Sequence, residues 1–289
     1  MSQRTITFIT PTPPDISAFG VRALSAWLKN RGHKVKCIFL PGGMEQLKHS
    51  GDFQYKYSQD AIQQILTVTA GSDVVAFSFL SQYRDRAVQL TDAVRQQQSI
   101  FTVWGGVHPE VDPEDGLKQA DAVCVCEGET VLDQLLKCLD DPDKVNRIPG
   151  LLTPENKQVE QHIPCFTNLN KLPYFDMGPE NHFILDPLSN AIEELTDEKL
   201  RKILPLMPAP EGGALTVYRT MTSRGCPHRC TYCANRIRAE RFPDKKYLRF
   251  RSPDHVMGEI LEVTRKFPFI QGIHFFDDVF TAMPREDLI

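Results

Sequence analysis

Along the first 140 residues, short continuously apolar runs alternate with amphipathic stretches. The runs TITFIT (5–10), KVKCIFL (34–40), DVVAFSF (73–79), IFTVWGG (100–106) and DAVCVCEGE (121–129) are too apolar for half-exposed hairpins. They predict five strands buried on both faces of a parallel sheet. Between the first two, FGVRALSAWLKNRG sets Val21, Leu24 and Leu28 on one face, carries Lys29 and Arg31 in its last turn and stops at Gly32, as a helix should. Further helices are predicted at about 59–70 (Ile62, Ile65, Leu66), 84–98 (Ala87, Leu90, Val94) and 129–139 (Leu132, Leu135, Leu136). Repeated βα units imply a doubly wound α/β domain in flavodoxin-like order, with its ligand at the carboxyl ends of the strands.

From 141 to 213 this pattern dissolves into Pro-, Asn- and Asp-rich connection. A hairpin is expected around TPENK, SNAIEELTDEKLRKILP reads as one helix closed by Pro205, and the whole is expected to be a linker wrapping the first domain. Order resumes with a strand over 214–223, a cysteine loop, a helix over 252–267 capped by Ser252, and another buried strand over 270–280. That order opens a (β/α) barrel, and it puts the cysteines at the carboxyl end of the first strand, where barrel active sites lie. Residues 214–289 supply about two βα units at roughly 30 residues each, so the barrel is expected to be partial and looks truncated. The expected division is therefore 1–140, 141–213 and 214–289.

Composition narrows the function only a little. Hydrophobic residues at 41% and charged residues at 24% are ordinary for a globular protein, and a net charge of -4 gives no reason to expect nucleic acid. No stretch nears the roughly 18 apolar residues of a membrane span, and Pro11 interrupts the start before any signal-like core, so a cytoplasmic location is the default. Eight cysteines are too sparse for a disulfide scaffold. Cys37, Cys124 and Cys126 in strand-like runs, Cys138 on a helix and Cys165 in a loop read as structural thiols.

Three loops could form the ligand crevice of the first domain: PTPPDISAFG, SFLSQYR and GGVHPEVDPED. None carries G-x-G-x-x-G or a phosphate-binding G-x-x-x-x-G-K-[ST], which argues against NAD and nucleoside triphosphates. Gly105-Gly106 allows either close approach of a ligand or a tight turn. His108 is either a ligand or a hydrogen-bonded loop residue, and Glu127-Gly128-Glu129 either faces a ligand or starts a helix.

The loop SRGCPHRCTYCAN spaces Cys226, Cys230 and Cys233 as C-x3-C-x2-C. A zinc site would want a fourth ligand, and no second cysteine pair follows. A redox dithiol at Cys230–Cys233 would leave a superfluous cysteine. A four-iron cluster held by three thiolates would keep one iron open for chemistry.

With Tyr232 just before the last cysteine, this loop resembles the radical S-adenosylmethionine (SAM) superfamily. The later segments YLRFRSPDHVMGEI and GIHFFDDVFT, with GGVHPEVDPED and ADAVCVCEGE upstream, resemble its cobalamin-binding subgroup. The resemblance implies that Cys226, Cys230 and Cys233 ligate a 4Fe-4S cluster, with Tyr232, Asp277 and Asp278 towards SAM. It further implies that Pro13, Pro14, Ser78, Ser81, Gly105, Gly106, His108, Glu127, Gly128 and Glu129 hold a cobalamin. No D-x-H-x-x-G motif offers a lower axial cobalt ligand. The implied activity is reductive cleavage of SAM for methyl transfer to, or rearrangement of, an unactivated carbon in a small molecule of unread class, with a flavodoxin or ferredoxin as electron donor. Two rival readings are a cobalamin-independent, methylthiotransferase-like enzyme and a non-catalytic protein that binds cluster or corrin within an incomplete barrel.

Overall fold

A computed structural model describes residues 3–11, 18–40, 56–158, 165–186, 189–241 and 247–284. The five predicted strands are β1 (Thr5–Thr10), β2 (Lys34–Phe39), β3 (Val74–Ser78), β4 (Phe101–Gly105) and β5 (Ala122–Cys124). They pair in parallel, and their spatial order, β5-β4-β3-β1-β2, is the flavodoxin-like one. Their apolar runs are continuous because both faces are covered. Ile6, Phe8, Val35, Val74 and Val103 pack under the Phe19–Asn30 and Gly128–Cys138 helices through Val21, Leu28, Leu132 and Leu135. Ile9, Ile38, Val75, Phe77 and Trp104 pack under the Gln59–Thr69 and Arg84–Gln97 helices through Ile62, Ile65, Leu90 and Val94.

Residues 141–213 do more than connect. They add β6 (Leu151–Leu152), antiparallel to β5, at one edge, and β7 (His182–Leu185), parallel to β2, followed by antiparallel β8 (Ile192–Glu194) at the other. The sheet thus has eight strands, in the order β6-β5-β4-β3-β1-β2-β7-β8. The single helix expected over SNAIEELTDEKLRKILP is corrected: its first part is β8, and only Asp197–Ile203 is helical. Thr196 sets the true start, its hydroxyl accepting the Lys199 amide at 3.3 Å, while Ile192–Glu194 pair with the open edge of β7. Of the hairpin expected around TPENK the described residues show only the turn, Thr153 and Asn156 exchanging backbone bonds of 3.0 and 3.1 Å, while the strand before it pairs with β5 instead.

The rest of the chain forms a smaller sheet, β13 (Gly272–Phe275), β10 (Ala214–Thr220) and β9 (Leu206–Pro208), with β10 and β13 parallel and β9 antiparallel. The Pro253–Lys266 helix makes the crossover, and Ser252 caps it by accepting the His255 amide at 3.3 Å. Beneath it Glu259, 1% exposed, accepts Tyr218 Oη at 2.9 Å and Thr220 Oγ1 at 2.6 Å and pairs with Arg251 at 2.7 Å. The strand expected over 270–280 is confined to Gly272–Phe275 and is not buried; as a sheet edge it leaves Phe275 and Phe276 exposed. After β10 the chain makes a separate two-residue ribbon, β11 (Ser223–Arg224) against β12 (Arg249–Phe250), and the cysteine loop leaves from it. Among the described residues no helix is long and apolar enough to cross a membrane.

Candidate functional site

The carboxyl ends of β1, β3, β4 and β5 open into a cavity of about 540 Å³, closed on the far side by the cysteine-loop ribbon and the helix that follows it. Thr10, Ser78–Leu80, Gly106, Val107, Glu110 and Val125–Glu129 line it from the large sheet. Met221, Ser223–Gly225, Asn235, Arg238, Arg241, Tyr247, Arg249 and Asp278 line it from the other side. This is the crevice that doubly wound sheets offer to ligands, here roofed by the start of a second sheet.

The residues expected to contact cobalamin divide. Ser78, Gly106 and Glu127-Gly128-Glu129 are on the cavity wall. Gly106 has φ 89°, and a Cβ there would lie 2.8 Å from the Phe79 amide nitrogen, so its glycine serves a tight backbone approach between the ends of β3 and β4. Gly105 has ordinary space around it. His108 and Ser81 are off the lining: His108 is buried, with Nδ1 3.1 Å from Ser81 Oγ and Nε2 3.1 Å from Asp115, and its ring stacks on Phe79. Arg84 grips the same carboxylate through two bonds of 2.6 Å and, helped by His108, holds Asp115 down at about 2. His108 is thus a hydrogen-bonded residue of the short Val107–Val111 helix rather than a residue of the cavity wall. Pro13 and Pro14 lie outside the described residues.

Glu127 and Glu129 point at arginines. Arg224 donates to Glu129 at 2.5 Å and sits 3.4 Å from Glu127, while Arg249 donates to Glu127 at 2.6 and 3.2 Å. Burial pushes the Glu127 carboxyl up, but Arg224 and Arg249 overcome it and hold the group below its ordinary value. Glu110 pairs with Arg238, yet there burial wins and raises its pKa. Cys126 also lines the cavity; the neighbouring Cys124 and burial keep its thiol protonated.

In the cysteine loop, Gly225 has φ 98°, and a Cβ would run into the Tyr247 carbonyl, so only glycine fits the entry. Cys226 and Cys233 are half-buried and Cys230 is exposed, with the Cys233 amide closing a turn onto the Cys230 carbonyl at 3.1 Å. Among the described residues no three His, Cys, Asp or Glu side chains gather about a point as ligands of a single ion do. A four-iron cubane takes one thiolate on each of three irons, so its ligands need not converge on a single point. Tyr232 is 91% exposed and stands away from the cavity.

The two aspartates after β13 have different surroundings. Asp277 is consumed by Thr222 and Ser223, accepting both of their amides and both of their hydroxyls. Asp278 lines the cavity and accepts Asn235 Nδ2 at 2.9 Å; Asn235 Oδ1 in turn accepts Tyr247 Oη at 2.6 Å. Burial, opposed by Arg238 and aided by Asp278, pushes Tyr247 up to about 12. The cavity arginines and Tyr247 carried no motif of their own. Their trace was the density of arginine in SRGCPHRC, NRIRAER and YLRFRS, of which the ribbon turns Arg224 and Arg249, and the Ala234–Arg241 helix Arg238 and Arg241, towards the cavity.

Residues 7–136 match the model of the B12 binding domain. Over 191 residues the chain is 26% identical to an uncharacterized methyltransferase of Pyrococcus horikoshii, covering 64% of this chain and 34% of that one. Its fold is similar to that of the radical SAM methyltransferase TsrM of Kitasatospora setae, solved with tryptophan substrate and a SAM analog bound. The TM-score is 0.60 at 14% identity, over 96% of this chain and 48% of that chain. TsrM solved with cobalamin and a 4Fe-4S cluster gives the same score and identity, over 97% and 49%. The chain therefore spans about a third of the curated relative and about half of the solved structures.

Proposed function

We propose, from the match of residues 7–136 to the B12 binding domain model, that the chain is a cobalamin-dependent radical SAM enzyme of methyltransferase type. The observation that carries this reading is the shared cavity: strand ends of the B12 binding domain form one wall, and the ribbon bearing the C-x3-C-x2-C loop forms the other. In this proposal cobalamin is held from one side by Ser78, Gly106 and the Glu127–Glu129 turn, the cluster by Cys226, Cys230 and Cys233, and the SAM side of the cavity includes Asp278. When bound, these groups supply a transferable methyl and a one-electron path for opening SAM.

The chain's own residues do the positioning. Gly106 and Gly225 let backbone approach backbone where a side chain would block it, and Asp277 fixes the two residues that precede Arg224. Phe79, Leu80, Val107 and Val125 give the large-sheet side of the cavity an apolar wall, which suits a large ligand with an apolar face. The B12 binding domain match supports this over the cobalamin-independent reading. The substrate carbon, and the flavodoxin- or ferredoxin-type electron donor expected from the sequence, belong to the proposal as partners.

Anaerobic reconstitution tests the cluster half. It is expected to give about four irons per chain and a broad thiolate-to-iron absorption near roughly 400 nm, lost on Cys226→Ala, Cys230→Ala or Cys233→Ala. Full iron retained by Cys230→Ala overturns the ligand assignment.

A further inference from the structure

Arg224 and Arg249 are cross-strand neighbours in the β11–β12 ribbon, and both reach to the first turn of the Gly128–Cys138 helix, which follows β5. Arg224 bridges Glu129 at 2.5 Å and Glu127 at 3.4 Å; Arg249 holds both oxygens of Glu127 at 2.6 and 3.2 Å and also donates to the Phe166 carbonyl at 2.7 Å. Glu129 is 2% exposed and Arg249 6%, so these contacts are largely out of water. Buried ion pairs of this kind add little net stability, because desolvation offsets the attraction, but they fix geometry stringently. Here they join two specific points. Arg224 stands two residues before Cys226, and Glu127–Glu129 line the cavity directly after β5.

We propose that this four-residue clamp is a positioning device that couples the two cofactor sites, so that filling the cavity with a corrin is felt at the iron–sulfur cluster. The inference rests on the reading given under Proposed function and adds to it named residues and a direction of communication. A ligand that presses on the Glu127–Glu129 turn displaces its carboxylates, and two arginines on a two-residue ribbon carry that displacement to Cys226. The ribbon is short and Gly225 is packed against the Tyr247 carbonyl, so it has little room to absorb the movement locally. Arg224 and Arg249 are positioning residues, acting on the cluster through Cys226.

The test uses the full chain, reconstituted anaerobically, as the unmodified protein and as Arg224→Gln, Arg224→Lys and Glu129→Gln. Iron content and hydroxocobalamin uptake are measured first. The low-temperature electron paramagnetic resonance spectrum of the reduced cluster is then compared with and without corrin, after subtracting the cob(II)alamin signal recorded at higher temperature. In the unmodified protein, corrin is expected to alter the cluster spectrum. Arg224→Gln is expected to lose that response while still holding iron and corrin; Glu129→Gln, which lies on the corrin wall and is expected to bind corrin more weakly, is read at saturating corrin and is expected to lose it too; and Arg224→Lys, which keeps the charge but not the two-carboxylate reach, is expected to keep part of it. A merely stapling role would lower stability and leave the response intact. A response that survives both Gln variants overturns the coupling, as does an unmodified protein that binds both groups and shows none. Failure of the unmodified chain to take up iron or corrin at all is a separate result: it overturns the proposed function, and the coupling with it. Should Arg224→Gln lose its iron, Glu129→Gln decides alone, since it alters only the cavity side of the clamp.

Discussion

Asp277 Oδ1 accepts both the amide (2.7 Å) and the hydroxyl (2.5 Å) of Ser223, tying the turn after β13 to the first residue of β11. Thr222 binds the same carboxylate through its amide and its hydroxyl. Resemblance gave Asp277 and its neighbour Asp278 one role towards SAM, whereas their contacts separate them: Asp277 builds the entry to the cysteine loop and Asp278 faces the cavity.

Replacing Asp277 with Ala strands several donors at that entry. A loss of about 3 kcal/mol is expected, because hydrogen bonds to a charged acceptor are strong and the buried donors of Thr222 and Ser223 left behind are costly. Asp278→Ala, on an exposed residue whose carboxylate accepts from Asn235 Nδ2, is expected to cost under about 1 kcal/mol. Chemical denaturation of the two variants side by side checks the difference; equal losses would contradict the division of roles.

Gly225→Ala should damage the loop locally. At φ 98° a side chain is strained, and the Tyr247 carbonyl occupies its place. A cost of about 1–3 kcal/mol is expected, together with iron content after reconstitution well below that of the unmodified protein. Gly212→Ala, also at positive φ but with open space around it, is expected to retain full iron.

Glu259 holds the second sheet to its helix through Tyr218, Thr220 and Arg251. Glu259→Gln leaves the buried Arg251 without its counter-charge, and breaking such a pair costs about 3–5 kcal/mol. Thermal unfolding should show the loss, and proteolysis should open the chain within 214–284 before the large sheet.

His182 gives the chain an alkaline liability. Buried in β7, it lies 3.0 Å from Asp176 Oδ2, which also takes Lys29 Nζ at 2.7 Å and Ser25 Oγ at 2.5 Å. Burial and nearby Arg22 disfavour its charge, but Cys37 and Asp176 outweigh them and raise its pKa from 6.5 to about 9. A raised folded-state value stabilises fully below pH 6.5 and loses that contribution as pH rises through about 9. The swing is of order 3 kcal/mol. Urea midpoints measured across that window should fall, and His182→Gln should start less stable with a flatter profile.

How much of this was legible follows from what each residue answers to. The five-strand order and four main helices answer to local periodicity, which Val21, Leu24 and Leu28 or Ile62, Ile65 and Leu66 display openly. β8 was hidden because Ile192–Glu194 become a strand only on the free edge of β7, whose own place beside β2 depends on residues far away in sequence. The cysteine spacing was open to view in the sequence and marked the loop proposed to hold the cluster. Its coupling to Glu127 and Glu129 was invisible, because it depends on Arg224 and Arg249 facing each other across a ribbon of two residues. His108 shows the converse: it stood in a conspicuous motif, and its contacts with Ser81 and Asp115 turn it away from the cavity.

The central claim is that one cavity serves a corrin and the cysteine loop together. An anaerobic hydroxocobalamin titration of the cluster-loaded chain, with iron and corrin quantified on the same sample, tests it most directly. The account predicts saturation at about one corrin beside about four irons per chain, with Gly106→Val, which fills the end of β4, abolishing corrin uptake while iron remains. A chain that loads its iron but binds no corrin would contradict it.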